Sequence, residues 1–276
     1  MDVIEKVDSS VIQHGDRNNR IYLMHLDSKD ASSLPAKLMD IAVEKRYTKI
    51  FAKVPSTALQ YFQREQFHKE AYVPNFYHGK TGMYCLAKFL DHSRENIPVA
   101  ERLEIRKNIQ LTKTKNRNVS PPDIGVEISR LGNRDAESLA NLFKTVLKTY
   151  PFPIFDPEYV AKSMNSGTLY YGMIDGKDLV AAATADMDKE NENVEMTDFA
   201  VHPEFRGRSA ALALLLHMEE QVRQQHIKTS YTIARALSPA MNITFSKAGY
   251  IYGGTLVNNT QISGKIESMN VWYKSL

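Results

Sequence analysis

Apolar residues recur along this chain with two different periods, and the changes of period divide it into elements. Leu34, Leu38, Ile41 and Ala42 fall at helical spacing, and the run KIFAKV at 49–54 then reads as a short strand. Ser56 stands where it can cap a helix carrying Leu59, Phe62 and Phe67 on one side. Extended segments are predicted at 69–77 and 83–89, separated by the turn residues Gly79, Lys80, Thr81 and Gly82. Charged residues dominate 98–111 around Val99, Leu103 and Ile109, the pattern of a helix with one narrow buried edge. The stretch TKTKNRNVSPP at 112–122 is polar, basic and closed by two prolines, as an interdomain linker is.

Beyond it the pattern predicts a strand at 126–130 and a long helix that starts at Asn133 or Asp135 and bears Leu139, Leu142, Phe143 and Val146. A short helix is expected after Pro157, then strands at 168–174, 179–184 and 194–201, the first two joined by the hairpin signal Asp175-Gly176. The helix predicted at 209–225 is apolar nearly all round in its early turns, from Ala210, Ala211 and Leu212 to Leu214, Leu215 and Leu216, so it must be buried. A strand at 229–234, a helix at 239–248 and strands at 250–256 and 268–273 complete the pattern. Each half ends in the same order of elements, 50–89 in one and 231–273 in the other. That order fits a degenerate duplication and is equally reachable by chance.

Composition narrows the class. A chain of 276 residues is long enough for two modest cores, divided here into 1–120 and 121–276. Its 43% hydrophobic and 24% charged residues suit a folded soluble protein, and no run reaches the length of a bilayer span, so no membrane partner is expected. Asp2, Glu5, Lys6 and Asp8 interrupt any early apolar run, and the lone Cys85 allows no intrachain disulfide; a cytoplasmic location is the expectation. A net charge of only +3 argues against nucleic acid as the main partner. The eight histidines show no metal-ligand spacing, and one cysteine encodes no zinc cluster, so no metal is expected.

The segment TDFAVHPEFRGRSAALAL at 197–214 carries the chemistry. It passes from a strand through a tight loop into the buried helix, which points unpaired backbone N–H groups at one spot beside the positive end of the helix dipole. Such a spot suits a pyrophosphate. Gly207 lets the backbone approach an anion, Ser209 can cap the helix, Ala210 and Ala211 keep side chains clear, and Arg206 and Arg208 add charge. The spacing Arg206, Ser209, Ala211 resembles the signature of the GNAT superfamily of acetyl-coenzyme A-dependent N-acyltransferases, with Ser209 where that family has Gly. The runs YTIARAL at 231–237, MNITF at 241–245, YGGTLVNNT at 252–260 and IESMNVWYK at 266–274 resemble the β-lysine N-acetyltransferase family, a likeness that extends to Phe76 and Tyr77 in the first half.

The resemblance implies an α/β fold with a mixed sheet, a GNAT acetyltransferase domain in the C-terminal half preceded by a smaller α/β GNAT-like lobe. It implies acetyl-coenzyme A as co-substrate and transfer of its acetyl group to the ε-amine of β-lysine, a small diamino acid supplied by a lysine aminomutase. The product is a compatible solute made under osmotic stress. The first lobe either closes the substrate side of the cleft or forms a homodimer, and the sequence leaves both open.

An alkylammonium has a pKa of about 10.4, so the amine must lose a proton before it attacks a thioester. Glu195 and Asp198, on the strand feeding the loop, are candidate bases; their odd separation places them on opposite faces, so only one is expected to look into the site, with Glu195 favoured. Phe199 and Val201 are expected to line the pantetheine arm, and a backbone N–H from the splayed end of this strand to stabilise the oxyanion. Where many relatives have an acidic Tyr this chain has Phe245, which leaves Tyr250, Tyr231 or Tyr252 to protonate the leaving thiolate. Arg235 is a candidate for the substrate carboxylate, Glu267 for its second ammonium, and Asn242 and Asn259 for further polar contacts.

Overall fold

One continuous sheet of thirteen strands organises the chain, described by a computed structural model that covers residues 2–115, 119–262 and 264–276. The first half supplies β1 (Val3–Val7), β2 (Ser10–Gly15), β3 (Arg20–His25), β4 (Lys49–Pro55), β5 (His68–Tyr77) and β6 (Thr81–Phe89), with helices α1 (Leu34–Glu44), α2 (Leu59–Arg64), α3 (His92–Glu95) and α4 (Val99–Lys113). The second supplies β7 (Ile128–Leu131), β8 (Leu169–Asp175), β9 (Asp178–Asp188), β10 (Asn193–Val201), β11 (Thr229–Arg235), β12 (Ile251–Ile262) and β13 (Lys265–Ser275). Its helices are α5 (Ala136–Val146), α6 (Pro157–Asn165), α7 (Ala210–Arg223) and α8 (Pro239–Lys247). The strand order is β1-β2-β3-β4-β6-β5-β12-β13-β11-β10-β9-β8-β7.

Each half is built around one parallel crossover. In the first, three antiparallel strands lead through α1 to β4, which runs parallel to β3; the β5–β6 hairpin then lays β6 beside β4. In the second, β8, β9 and β10 lead through α7 to β11, and the closing hairpin lays β13 beside β11. The orders β1-β2-β3-β4-β6-β5 and β8-β9-β10-β11-β13-β12 therefore match element for element. The three opening strands at 3–25 were not anticipated, because β2 and β3 are buried on both faces and show no alternation.

The halves meet where β5 and β12 pair, Gly254 opposite Ala71. Gly254 has φ +147, and a Cβ on it would lie 2.2 Å from the Glu70 carbonyl oxygen, so the junction requires glycine. Buried polar groups cross the same seam. Lys49, fully buried, donates to both oxygens of Glu70 and, at 2.7 Å, to the Val257 carbonyl; Arg94 Nε donates to the Asn258 carbonyl at 2.7 Å.

Helices cover both faces of the second half: α7 through Leu214, Leu215 and Met218 on one side, α5 and α6 through Leu139, Phe143 and Val160 on the other. In the first half α1 and α2 cover one face with Leu34, Leu38 and Phe62, as the periodicity predicts. Its other face presents Tyr22, Phe51 and Phe76 toward Tyr231 and Met269 of the second half.

Some local readings change. Ser56 opens a 3-10 turn and makes no side-chain cap. Val99 and Leu103 are 70% and 58% exposed, and the buried edge of α4 is instead Ile105, Asn108 and Thr112. That edge docks on α8 through polar contacts: Asn108 Nδ2 donates to the Ala236 carbonyl at 3.0 Å, and Ser246 Oγ to the Thr112 carbonyl at 3.1 Å. Of the predicted linker, 112–113 end α4 and 116–118 lie outside the described residues.

Candidate active site

The alternation of β10 breaks where the chemistry is expected. Thr197 pairs with Thr184 and Ala200 with Ala182, so β10 places one residue more than β9 between these pairs, and Asp198 takes φ +52. This bulge resets which side chains face which way. Glu195 and Asp198 consequently line the same cavity, which corrects the expectation that they point to opposite faces.

The strand also leaves β11. Their parallel pairing covers Asn193 to Glu195 against Thr229 to Tyr231 and stops there, although the strands continue to Val201 and Arg235. A wedge opens between them. Phe199 borders it, its ring 5.5 Å from that of Phe245, while Val201 and Ala210 pack into the core of the second half.

At the head of the wedge a 3-10 turn, Pro203–Phe205, leads through Arg206, Gly207 at φ +83 and Arg208 into α7. Nothing lies within 4 Å of a Cβ built on Gly207. The amides of Gly207, Arg208, Ser209, Ala210 and Ala211 find no backbone acceptor among the described residues, as expected of the first turn of a helix. Ser209 does not cap: it makes no side-chain cap bond, its backbone is left-handed at φ +63, and its carbonyl receives the amides of Leu212 and Ala213. The turn therefore keeps, with a serine, the conformation a glycine adopts without strain. Free amides, the helix dipole and two arginines fit the diphosphate of coenzyme A, which Arg206, Gly207, Arg208, Ser209, Ala210 and Ala211 would hold.

Below the wedge lies a cavity of about 570 Å³ whose walls come from both halves. Tyr231 Oη donates to Glu195 Oε2 at 2.8 Å, and Lys53 of β4 donates to Tyr231 Oη at 3.2 Å. The Lys53 ammonium sits 5.4 Å from the centre of the Tyr22 ring and 5.6 Å from that of Tyr231, within cation–π range of both. Burial pushes the Glu195 carboxyl above the ordinary carboxylate range, and Lys53 with the Tyr231 hydroxyl pulls it partly back. Burial likewise raises Asp198, against hydrogen bonds from the hydroxyls of Tyr150, Thr184 and Thr197. Glu195 Oε1 makes no hydrogen bond among those of the described residues, so one lone-pair face of Glu195 is available to a water or an amine in the cavity.

Other candidates take different places. Arg235 lines the cavity but closes a two-bond ion pair with buried Glu267, at 2.8 and 2.9 Å. Each is the other's partner. Asn242 is fully buried, donating to the Arg235 and Ser238 carbonyls and accepting from Asn270 and Trp272, which uses its whole capacity. The hydroxyl of Tyr250 shares a hydrogen bond with Ser230 in the core, and Tyr250 does not line the cavity. Asn259 does line it, with its Oδ1 unpartnered. The residues that sequence reasoning missed are Arg20, Tyr22 and Lys53. β3 offers no polar/apolar alternation that would mark Arg20 and Tyr22, and the available signal is Lys53, a charge inside an apolar run.

Parted strands, a loop of free amides and carboxylates at the wedge define an acetyl-coenzyme A-dependent N-acetyltransferase. The model of the acetyltransferase (GNAT) family matches residues 136–249. Over nearly its full length the chain is 38% identical to a β-lysine N(6)-acetyltransferase of Methanococcus maripaludis, covering 99% of each chain. It is 32% identical to N-acetyltransferase YodP of Bacillus subtilis, over 97% of this chain and 96% of that one, and 34% identical to a β-lysine N(6)-acetyltransferase of Methanosarcina mazei over about half of each. The chain belongs to the β-lysine N-acetyltransferase family of GNAT enzymes.

Proposed function

We propose that this protein acetylates the ε-amine of β-lysine, taking the acetyl group from acetyl-coenzyme A, with Glu195 as base. The observation that carries this reading is the meeting of Glu195 and Asp198 in one cavity, beneath the wedge, in a chain of this family. Acetyl-coenzyme A supplies an activated acyl group as a thioester. The protein supplies the rest. Glu195 takes one proton from the ε-ammonium, directly or through one water, and returns it to solvent. The free amine forms the new C–N bond at the thioester carbonyl, the C–S bond breaks, and the leaving thiolate takes up the second proton that the nitrogen sheds. Lys53 and Tyr231 keep enough of Glu195 ionised for that task despite its burial. Asp198, anchored by three hydroxyls, adds negative charge that favours a cationic substrate in the cavity.

The matching strand orders support reading the first half as a degenerate GNAT module that closes the substrate side of the cleft. A diamino acid made by a lysine aminomutase, a cytoplasmic setting and a compatible-solute product under osmotic stress follow from the same reading. Incubation with acetyl-coenzyme A and a panel of amines, following free thiol, tests it. Turnover of β-lysine with little of α-lysine or spermidine is the expected result. Preference for another amine would refute the substrate, and coenzyme binding with no turnover of any amine would refute the enzyme.

A further inference from the structure

Arg20 lies at the start of β3, 5% exposed, on the wall of the cavity that the first half contributes. Its Nη1 is engaged at the seam, donating to the Asn259 carbonyl and, at 3.2 Å, to Thr260 Oγ1. Its Nε is buried without any partner, and Nη2 makes no hydrogen bond among those of the described residues. Nε and Nη2 form one edge of the guanidinium, a pair of parallel donors shaped for a carboxylate. Arg235 uses that same edge, Nε and Nη2, to hold Glu267. The carboxylate that Arg235 has, Arg20 lacks.

An unpaired buried cation is costly, and desolvation lowers the Arg20 pKa to about 10, yet the group stays charged at neutral pH. No acid touches it. Asp2 and Glu70 act on it from a distance; Glu70 bonds Lys49, and Asp2 bonds Asn18 and the Arg17 amide. The ring centres of Tyr22 and Phe51 lie 5.4 and 5.7 Å from its Cζ, within cation–π range of the guanidinium.

We propose that the Nε/Nη2 edge of Arg20 binds the carboxylate of the amino-acid substrate, so that the first half of the chain sets specificity for an amino acid over a plain diamine. The proposal rests on the substrate reading above. Tyr22 neighbours both Arg20 and Lys53, its ring centre 5.4 Å from the Cζ of one and the Nζ of the other, and Lys53 reaches Glu195 through Tyr231. A substrate anchored at Arg20 lies along Tyr22 with its far amine toward Glu195. The unpartnered Oδ1 of Asn259, whose own carbonyl holds Arg20, offers an acceptor for the ammonium next to that carboxylate.

The test compares kcat/KM for β-lysine and for 1,4-diaminopentane, the same diamine without the carboxylate, in wild type, Arg20→Gln, Arg20→Lys and Arg235→Gln. Wild type is expected to prefer β-lysine by roughly 10- to 100-fold, the range for a charge-assisted pair. In Arg20→Gln this preference collapses toward one, through KM rather than kcat. Arg20→Lys, which keeps the charge and the seam contact but loses the fork, recovers part of it. Arg235→Gln retains the preference. A wild type indifferent to the carboxylate, an Arg20→Gln that loses both substrates in equal measure while folded by circular dichroism, or a collapse caused by Arg235→Gln instead would each overturn the assignment. A wild type that neither binds nor turns over β-lysine would overturn the substrate reading itself, and this assignment with it.

Discussion

The two crossovers share a topology and part in their chemistry. In the second half β10 pairs with β11 for three residues and then diverges, its bulge at Asp198 turning a second carboxylate into the opening. In the first half β3 and β4 pair through four, Arg20 to Leu23 against Lys49 to Ala52, and run on only two and three residues further, to His25 and Pro55, against six and four for β10 and β11. The loops differ in the same sense. Where the second half has Arg206, Gly207 and Arg208, the first has Asp27 and Asp30; the Asp30 carboxylate accepts from the Ser9 amide and Ser10 Oγ, and its carbonyl takes the amides of Ser33 and Leu34. The amides of Asp30, Ala31, Ser33 and Leu34 are thus already satisfied by the chain. The same strand order thus gives a long divergence and a bare helix start in the half where we place the cofactor, and in the other a wall that carries Arg20, Tyr22 and Lys53.

The sharpest way to break this contrast is to remove the base from the cleft. Glu195→Gln is expected to lower kcat by about 100- to 10,000-fold, the usual range for a positioned base, with acetyl-coenzyme A affinity unchanged by calorimetry. Comparable activity in the variant would move the chemistry to Asp198. Next comes the loop. Gly207→Glu places an anion at the proposed diphosphate site and should weaken acetyl-coenzyme A binding at least about 100-fold. The counterpart change in the first half, Asp30→Asn, should lower the melting temperature and leave coenzyme affinity alone; a coenzyme defect there would mean that the first half binds it too.

The seam between the halves gives a smaller effect. Gly254→Ala forces a Cβ against the Glu70 carbonyl in a left-handed backbone and should cost about 1–3 kcal/mol in denaturant unfolding. The smallest expected effect is a shift in pH dependence. The Glu195 pKa lies above its ordinary 4.5 because of burial, with Lys53 pulling it down. Activity needs the carboxylate, so kcat/KM falls as pH drops through that pKa. Lys53→Met removes the cation, disfavours the carboxylate and should move the acid limb to higher pH; a limb that stays in place or moves lower would contradict the coupling.

Much of this was legible in the residues because it rests on local pattern. The buried helix α7 announces itself by Leu212, Leu214 and Leu215, the loop by Gly207 between two arginines, and the shared order of the closing elements, 50–89 and 231–273, by periodicity, although the opening strands of the first half did not show. The bulge was not legible: alternation assumes a regular strand, and the extra residue at Asp198 shows only against the register of β9. Nor was the pairing of Arg235 with Glu267, which lie 32 positions apart and meet only across the β11–β13 ladder. The first-half wall was missed for a third reason. β3 is buried on both faces, so its hydrophobic run carries no polar side to mark it, and a lone Arg20 at its start reads as a flank until the sheet closes around it.

The most direct test is a crystal structure with coenzyme A and β-lysine bound together. It is predicted to show the diphosphate on the amides of Gly207 to Ala211, the ε-amine beside Glu195 and the carboxylate on the Nε/Nη2 edge of Arg20. A coenzyme seated against the first-half loop at Asp30, or a substrate whose reacting amine lies away from Glu195, would contradict the account.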